Sequence, residues 1–74
     1  MSMTERPTLI DTDKLSIAVR TRRGKRSLRA VEKEAGVSFY TIGRIEKGSI
    51  PEVETFIRVC RWLDMDMDYF VIDS

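Results

Sequence analysis

The residues of this sequence that could bind a ligand are concentrated in one basic stretch, residues 20–33. Seven of its side chains are lysine or arginine, and one, Glu32, is acidic. The seven cations are Arg20, Arg22, Arg23, Lys25, Arg26, Arg29 and Lys33. Clustered positive charge attracts polyanions such as nucleic acid, although the same cluster is compatible with a surface that is merely solvated. The stretch therefore predicts either an anionic partner or a charged face exposed to water.

Several other kinds of site lack the residues that they need. The chain has no histidine and one cysteine, Cys60, which excludes zinc fingers, histidine-based catalysis and a disulfide within the chain. Neither a nucleophile–base pair nor a metal-ligand cluster is visible, and 74 residues leave little room for both a core and a pocket. We therefore expect a binding module, not an enzyme, without cofactor, metal or small-molecule ligand. Cys60 is expected to be a small buried apolar residue.

The composition is that of one small soluble domain. Its 74 residues are fewer than the roughly 150 expected per domain. Charged residues make up 34% and apolar residues 42%, which favours a globular domain over a disordered chain. No apolar run approaches the ~20 residues of a membrane span, and the first nine residues lack the apolar core of a signal peptide. With a lone thiol and no secretory signal, the expected location is the cytoplasm.

A first helix is predicted to begin before the basic stretch and to end within it. Leu15, Ala18 and Val19 follow the i, i+3, i+4 spacing of an apolar helix stripe. Gly24 is a suitable stop, so the helix is predicted over residues 12–23. The ten residues before it show no periodicity, and we expect a loose arm over residues 1–10 with the domain proper over 11–74.

Two short helices are predicted next, on either side of a tight turn. Ser27 can cap one that ends at Gly36 after about eight residues, and Ser38 can cap one that ends at Gly48. Gly36 is expected in the left-handed conformation, which a Cβ would disfavour. Two short helices joined by a three- to four-residue turn with glycine describe a helix-turn-helix.

The remainder of the chain predicts a fourth helix and a short final turn. Pro51 is expected to open the helix and Asp64 to end it in the left-handed conformation. Its apolar stripe is the clearest in the chain and comprises Val53, Phe56, Ile57, Cys60 and Leu63. A further helical turn is expected over Met67–Phe70. The β-branched tail Val71–Ile72 either pairs as a strand or simply packs.

The stretch SLRAVEKEAGVSFYTIGRIEKG, Ser27–Gly48, resembles the Cro/cI-type (XRE-like) helix-turn-helix of phage repressors and bacterial regulators. The resemblance extends from about Leu15 to Phe70 and includes the Glu46–Gly48 ending of the third helix and the fourth-helix pattern VETFIRVCRWL. It implies an all-α, compact five-helix domain of the lambda-repressor-like type. In such a domain the third helix lies in the DNA major groove while the second crosses the backbone.

The resemblance places Phe39, Tyr40 and Arg44 at the base-reading positions of the family. The fork of Arg44 matches O6 and N7 of guanine, whereas Phe39 can only make apolar contact with a thymine methyl. Tyr40 can make that contact or bond a phosphate. The alternatives are packing against a partner or the fourth helix for the two aromatic residues, and an ion pair with Glu32 or Glu46 for Arg44.

Phosphate contacts are expected around the start of the second helix, where free backbone N–H groups face an anion. The predicted set comprises Arg22, Arg23, Lys25, Arg26, Ser27, Leu28, Arg29, Ser38 and Lys47. Glu32 departs from the family pattern, which usually has a small residue there, so its carboxylate must reach solvent or a cation such as Arg29 or Arg44. Replacing Glu32 by alanine is then expected to hold or raise stability.

The function implied by the resemblance is that of a sequence-specific DNA-binding transcription regulator, more often a repressor. Because one recognition helix reads only about four base pairs, a homodimer on a two-fold, double-stranded operator is expected, in a bacterial cell or a phage-infected host. The fourth-helix stripe or the segment Tyr69–Ile72 is the candidate dimer surface, and Trp62 either anchors it or covers the core edge. The alternative is an antitoxin or anti-repressor type protein-interaction module with DNA binding secondary.

Overall fold

A computed structural model describes the backbone of residues 8–73 and the side chains of residues 10–72. The elements are β1 (Thr8–Ile10), α1 (Thr12–Arg23), α2 (Leu28–Ala35), α3 (Phe39–Glu46), α4 (Val53–Leu63), a 3₁₀ turn (Met67–Phe70) and β2 (Val71–Asp73). The described part thus contains four α-helices. The expected all-α class is confirmed. The expected count of five helices is corrected, because the fifth helical segment is a single 3₁₀ turn, and a short two-stranded sheet is added.

The first helix, α1, has the bounds that the sequence predicts. Asp11 caps it by accepting a hydrogen bond from the backbone N–H of Lys14 at 3.0 Å. At the other end the N–H of Gly24 donates to the carbonyl of Arg20, with Gly24 at φ 61°. The face of α1 that carries Leu15 and Val19 is buried in the core.

The predicted helix-turn-helix is confirmed in α2, α3 and the turn between them. Ser27 accepts from the N–H of Ala30 at 3.1 Å, and Ser38 accepts from the N–H of Thr41 at 3.2 Å. Gly36 ends α2 in the left-handed conformation, at φ 72° and ψ 26°. Each of the two helices therefore begins at a serine cap. The chain turns between them at Gly36, in a conformation that a residue with a Cβ would disfavour.

The fourth helix begins two residues later than predicted. Glu52 has an extended backbone, at φ −67° and ψ 162°, so the helical conformation starts at Val53 and Pro51 stays outside. Asp64 ends the helix in the left-handed conformation at φ 59°, as predicted. The side chain of Val53 is 75% exposed at the open start of the helix, while Cys60 is buried as expected.

The core lies between the helices and is closed by the 3₁₀ turn. The buried apolar residues are Leu15, Val19, Val31, Val37, Ile42, Ile45, Phe56, Val59, Cys60, Trp62, Leu63 and Phe70. Phe70 is fully buried, and its ring meets that of Phe56 edge-on, with centroids 6.2 Å apart. Phe56, Cys60 and Leu63 of the α4 stripe are buried in this core, so most of the stripe is not a free dimer surface, which corrects one of the two expected candidates.

The chain ends meet in an antiparallel pair of strands. β1 and β2 align Thr8 with Asp73, and Ile10 with Val71. The N–H of Asp11 donates to the carbonyl of Phe70 at 2.7 Å, which continues the pairing toward α1. Of the alternatives for the tail, pairing as a strand is the one observed. The arm expected over residues 1–10 therefore includes a strand, and its residues 1–7 lie outside the described part of the chain.

We predict that the substitution Gly36→Ala lowers the free energy of unfolding by about 1–2 kcal/mol. The residue is left-handed at φ +72°, and an added Cβ would also lie 3.3 Å from Nη1 of Arg58. Gly43→Ala is the matched control, because Gly43 lies inside α3 and its Cβ would make an ordinary 3.4 Å contact with Leu28. That change should raise stability by about 0.5–1 kcal/mol. Urea unfolding checks both, and equal effects at the two glycines would contradict the prediction.

Candidate nucleic-acid interface

The three predicted base-reading side chains lie on the exposed face of α3. Phe39 is 37% exposed and Tyr40 is 66% exposed, and Arg44 is exposed one turn after Tyr40. The opposite face of the same helix carries Ile42 and Ile45, which are buried in the core. The spacing of the apolar residues in α3 thus determines which face is exposed to solvent. The rings of Phe39 and Tyr40 lie on that face and are not buried against α4.

Each aromatic residue of this face lies under an arginine. Cζ of Arg44 is 5.8 Å from the ring centroid of Tyr40, and Cζ of Arg29 is 4.6 Å from the ring centroid of Phe39. Both separations allow cation–π attraction. The ion pair considered for Arg44 is not formed, because the carboxylates of Glu32 and Glu46 bond other groups.

Glu32 is bound to the start of α3 and not to a cation. Its Oε1 accepts a hydrogen bond from the backbone N–H of Phe39 at 3.1 Å, and the residue is half-buried. The first N–H groups of a helix have no partner within the helix, so this carboxylate satisfies one of them. Of the two alternatives expected for Glu32, the ion pair with Arg29 or Arg44 is not formed and the carboxylate stays partly exposed to solvent. Its bond to the Phe39 N–H was not expected, and Glu32→Ala would remove that bond.

Arg23 is engaged inside the protein. Its Nε and Nη2 donate to the two carboxylate oxygens of Glu46 at 2.7 and 2.8 Å, and Nη1 donates to the carbonyl of Arg26 at 2.9 Å. The Arg23 side chain is 26% exposed and that of Glu46 only 10%. The hydrogen bond with Glu46 raises the pKa of Arg23 above its ordinary value. With all three nitrogens bonded, Arg23 does not fit the phosphate-binding role expected from the sequence.

Arg26 is a second cation of the predicted phosphate set that is used internally. Its Nε donates to the carbonyl of Arg23 at 3.1 Å, which helps to cap α1, and its Nη1 bonds Glu34. Glu34 also accepts from Nε1 of Trp62 at 2.9 Å. Trp62 is buried, so of the two roles considered for it, covering the core edge is the one observed. This network joins the α1–α2 corner to α2 and α4.

The other members of the predicted phosphate set surround the start of α2 and the two ends of α3. Arg22, Lys25, Ser27, Arg29, Ser38 and Lys47 are exposed and Leu28 is half-buried. The hydroxyls of Ser27 and Ser38 serve as helix caps, and the N–H groups of Leu28 and Arg29 lack intrahelical acceptors by position. Ser38 and Lys47 flank α3 and Arg29 lies over the ring of Phe39, so these three adjoin the exposed face of α3. Arg22 instead lies over the ring of Trp62, with its Cζ 5.9 Å from the ring centroid.

A polar cleft beside Arg44 was not predicted. It has a volume of about 290 Å³ and lies between the C-terminal half of α3 and the start of α4. The hydroxyls of Thr41, Ser49 and Thr55 line it. The i, i+3 spacing of Thr41 and Arg44 places them at adjoining positions of one helix face. This spacing is the feature of the sequence that could have indicated the cleft.

A protein-family model with the description helix-turn-helix matches residues 18–70, more than two thirds of the chain. The chain belongs to the Cro/cI-type (XRE-like) helix-turn-helix family. Cro/cI-type proteins are DNA-binding transcription regulators. No curated protein and no solved structure matches this chain significantly. Within the described part of this Cro/cI-type domain, every helix is too short or too polar to cross a membrane.

Arg23→Gln is predicted to lower the free energy of unfolding by about 2 kcal/mol, because it leaves the largely buried carboxylate of Glu46 without its cation. The matched control is Arg20→Gln, which makes the same charge change at an exposed position of the same helix and should shift stability by less than about 0.5 kcal/mol. Urea unfolding of the two variants at pH 7 measures the difference. Equal losses would mean that Arg23 is not a structural cation.

A pH dependence is expected from Glu34. The hydrogen bond from Trp62, and then the contact with Arg26, lower the pKa of Glu34 below its ordinary value of 4.5. A depressed pKa contributes stability that is present above pH 4.5 and is lost as the pH falls through the folded-state value. Wild type should therefore exceed Glu34→Gln in urea midpoint at pH 6, and the gap should close toward pH 3. An unchanged gap would argue against the ionised form of Glu34.

Proposed function

We propose that this Cro/cI-type protein is a sequence-specific transcriptional repressor that acts by occupying its operator. In this proposal α3 lies in the major groove of double-stranded DNA and α2 crosses the backbone. The observation that carries it is the exposed face of α3, where Phe39, Tyr40 and Arg44 project beside the uncovered start of α2. The site of action is the cytoplasm of a bacterial cell or a phage-infected host.

Base reading is assigned to the three side chains of that face. Arg44 presents a planar fork to O6 and N7 of guanine, the commonest specific contact in the major groove. Phe39 contacts a thymine methyl, since its ring has no hydrogen-bond donor. Tyr40 carries both a ring and a hydroxyl, so it makes an apolar base contact or bonds a phosphate.

Phosphate binding is assigned to the groups that the protein leaves open. The first N–H groups of α2, at Leu28 and Arg29, carry the positive end of the helix dipole. The exposed side chains around them and beyond α3 are Arg22, Lys25, Ser27, Arg29, Ser38 and Lys47. Each phosphate contact makes binding weaker at higher salt without adding sequence information. Arg23 and Arg26 contribute indirectly by holding the α1–α2 corner.

A homodimer on a two-fold operator completes the proposal, because one recognition helix spans too few base pairs for a unique site. The segment Tyr69–Ile72 remains the candidate contact, with Tyr69 53% and Ile72 41% exposed. A genome-wide footprint of the tagged protein tests this directly. Two-fold symmetric protected sites with two protomers bound are expected, whereas one protomer on an asymmetric site would exclude the homodimer. A protein that copurifies with another protein and binds DNA only at low salt would point to the antitoxin-type alternative.

Arg44→Ala and Lys47→Ala are predicted to weaken DNA binding in different ways. Arg44→Ala should cost about 1–3 kcal/mol per half-site and relax the preference at one base pair. Lys47→Ala should weaken operator and scrambled duplexes alike and lower the salt slope by about one unit. Fluorescence anisotropy with both duplexes across a salt series separates the outcomes. If Arg44→Ala changed only the salt slope, Arg44 would be a phosphate contact.

A further inference from the structure

Phe39, the first residue of α3, is held from α2 by two separate contacts. The carboxylate of Glu32 accepts its backbone N–H at 3.1 Å, and the guanidinium of Arg29 lies 4.6 Å from its ring centroid. Arg29 and Glu32 are three residues apart, so they occupy adjoining positions on one face of α2. The backbone and the ring of Phe39 are thus both fixed by the neighbouring helix.

The Glu32 contact differs from the serine cap at the same end of α3. Ser38 is neutral and bonds the N–H of Thr41, one turn into the helix. Glu32 reaches across from α2 and brings a negative charge, which the positive end of the α3 dipole favours. It is also the one acid within residues 20–33, among seven cations.

That negative charge stands where DNA would approach. The exposed face of α3 begins at Phe39, so phosphates lying against α2 and α3 come within the range over which charges interact at ordinary salt, about 10 Å. A carboxylate there repels them whatever the base sequence. The hydrogen bond to Phe39 does not require this charge, since a neutral amide oxygen also accepts from an N–H group, with a weaker bond.

We propose that Glu32 is a positioning residue for Phe39 whose charge at the same time weakens binding to all DNA. The contact to the Phe39 N–H sets where that ring meets the base, and the charge lowers the affinity that phosphate contacts alone would give. This inference rests on the proposed DNA binding through α3. The two effects belong to different properties of one side chain, so two substitutions separate them.

Glu32→Gln removes the charge and keeps an acceptor for the Phe39 N–H. It should bind a scrambled 20-base-pair duplex and the operator duplex about threefold to tenfold more tightly than wild type at 0.1 M salt. The preference among bases at the pair that Phe39 contacts should be unchanged. That pair is first located with Phe39→Ala, as the position whose discrimination disappears.

Glu32→Ala removes both the charge and the acceptor. It should show the same gain on the scrambled duplex, together with a loss of about threefold or more in discrimination at the Phe39 base pair. Asp68→Asn is the matched control, because it makes the same net charge change at an exposed position in the 3₁₀ turn. It should change the affinity for either duplex by less than about twofold, since Asp68 belongs to the 3₁₀ turn and not to α2 or α3. Circular dichroism shows whether Glu32→Ala is folded, and Glu32→Gln tests the charge effect even if it is not.

The outcomes distinguish this inference from the proposed function. If wild type binds neither duplex, the proposed function itself fails. If wild type binds the operator but Glu32→Gln matches it on both duplexes, the charge effect is overturned. If Glu32→Gln loses operator binding alone, Glu32 reads a base directly and is not a positioning residue.

Discussion

The paired hydrogen bonds between Arg23 and Glu46 attach the end of α3 to the end of α1, and the orientation of α3 depends on them. Both residues sit at the last position of their helix, so the contact fixes the recognition helix at the end opposite Phe39. Ser16 adds a bond from its hydroxyl to the backbone carbonyl of Glu46 at 2.6 Å. In a chain of 74 residues with one small core, a charge-assisted contact of this kind supplies orientation that packing alone would leave loose.

This use of Arg23 divides the basic stretch into two groups of cations. Arg23 and Arg26 donate hydrogen bonds to carboxylates and backbone carbonyls of the protein, and these bonds stabilise the corner between α1 and α2. Arg22, Lys25 and Arg29 are exposed, with the guanidinium of Arg22 over the ring of Trp62 and that of Arg29 over the ring of Phe39. The cations of residues 20–33 therefore fall into two groups, one bonded to groups of the protein and one exposed at its surface, although the sequence alone does not distinguish them.

Local signals in the sequence were sufficient for the helices and the turn. Serine caps, the glycine at 36 and the left-handed Asp64 are short-range features, and each lies where it was expected. The pairing of β1 with β2 could not be predicted, because strands of three residues are too short to show a periodic pattern and lie far apart in the sequence. Glu32 was misread because its partner is a backbone N–H, which no side-chain pattern reveals. Arg23 was identifiable, since it follows Val19 by four residues and shares its inward face.

The pairing of β1 with β2 has a consequence for the order in which the molecule is assembled. Along the sequence β1 precedes the four helices and its partner, residues 71–73, follows them, so β1 stays unpaired until all four helices have been synthesised. The helix-turn-helix needs only contacts between near neighbours and can form within that interval. Phe70 joins the core from the residue next to β2. Pairing of the two strands and burial of Phe70 are therefore coupled, and both come after the four helices along the chain.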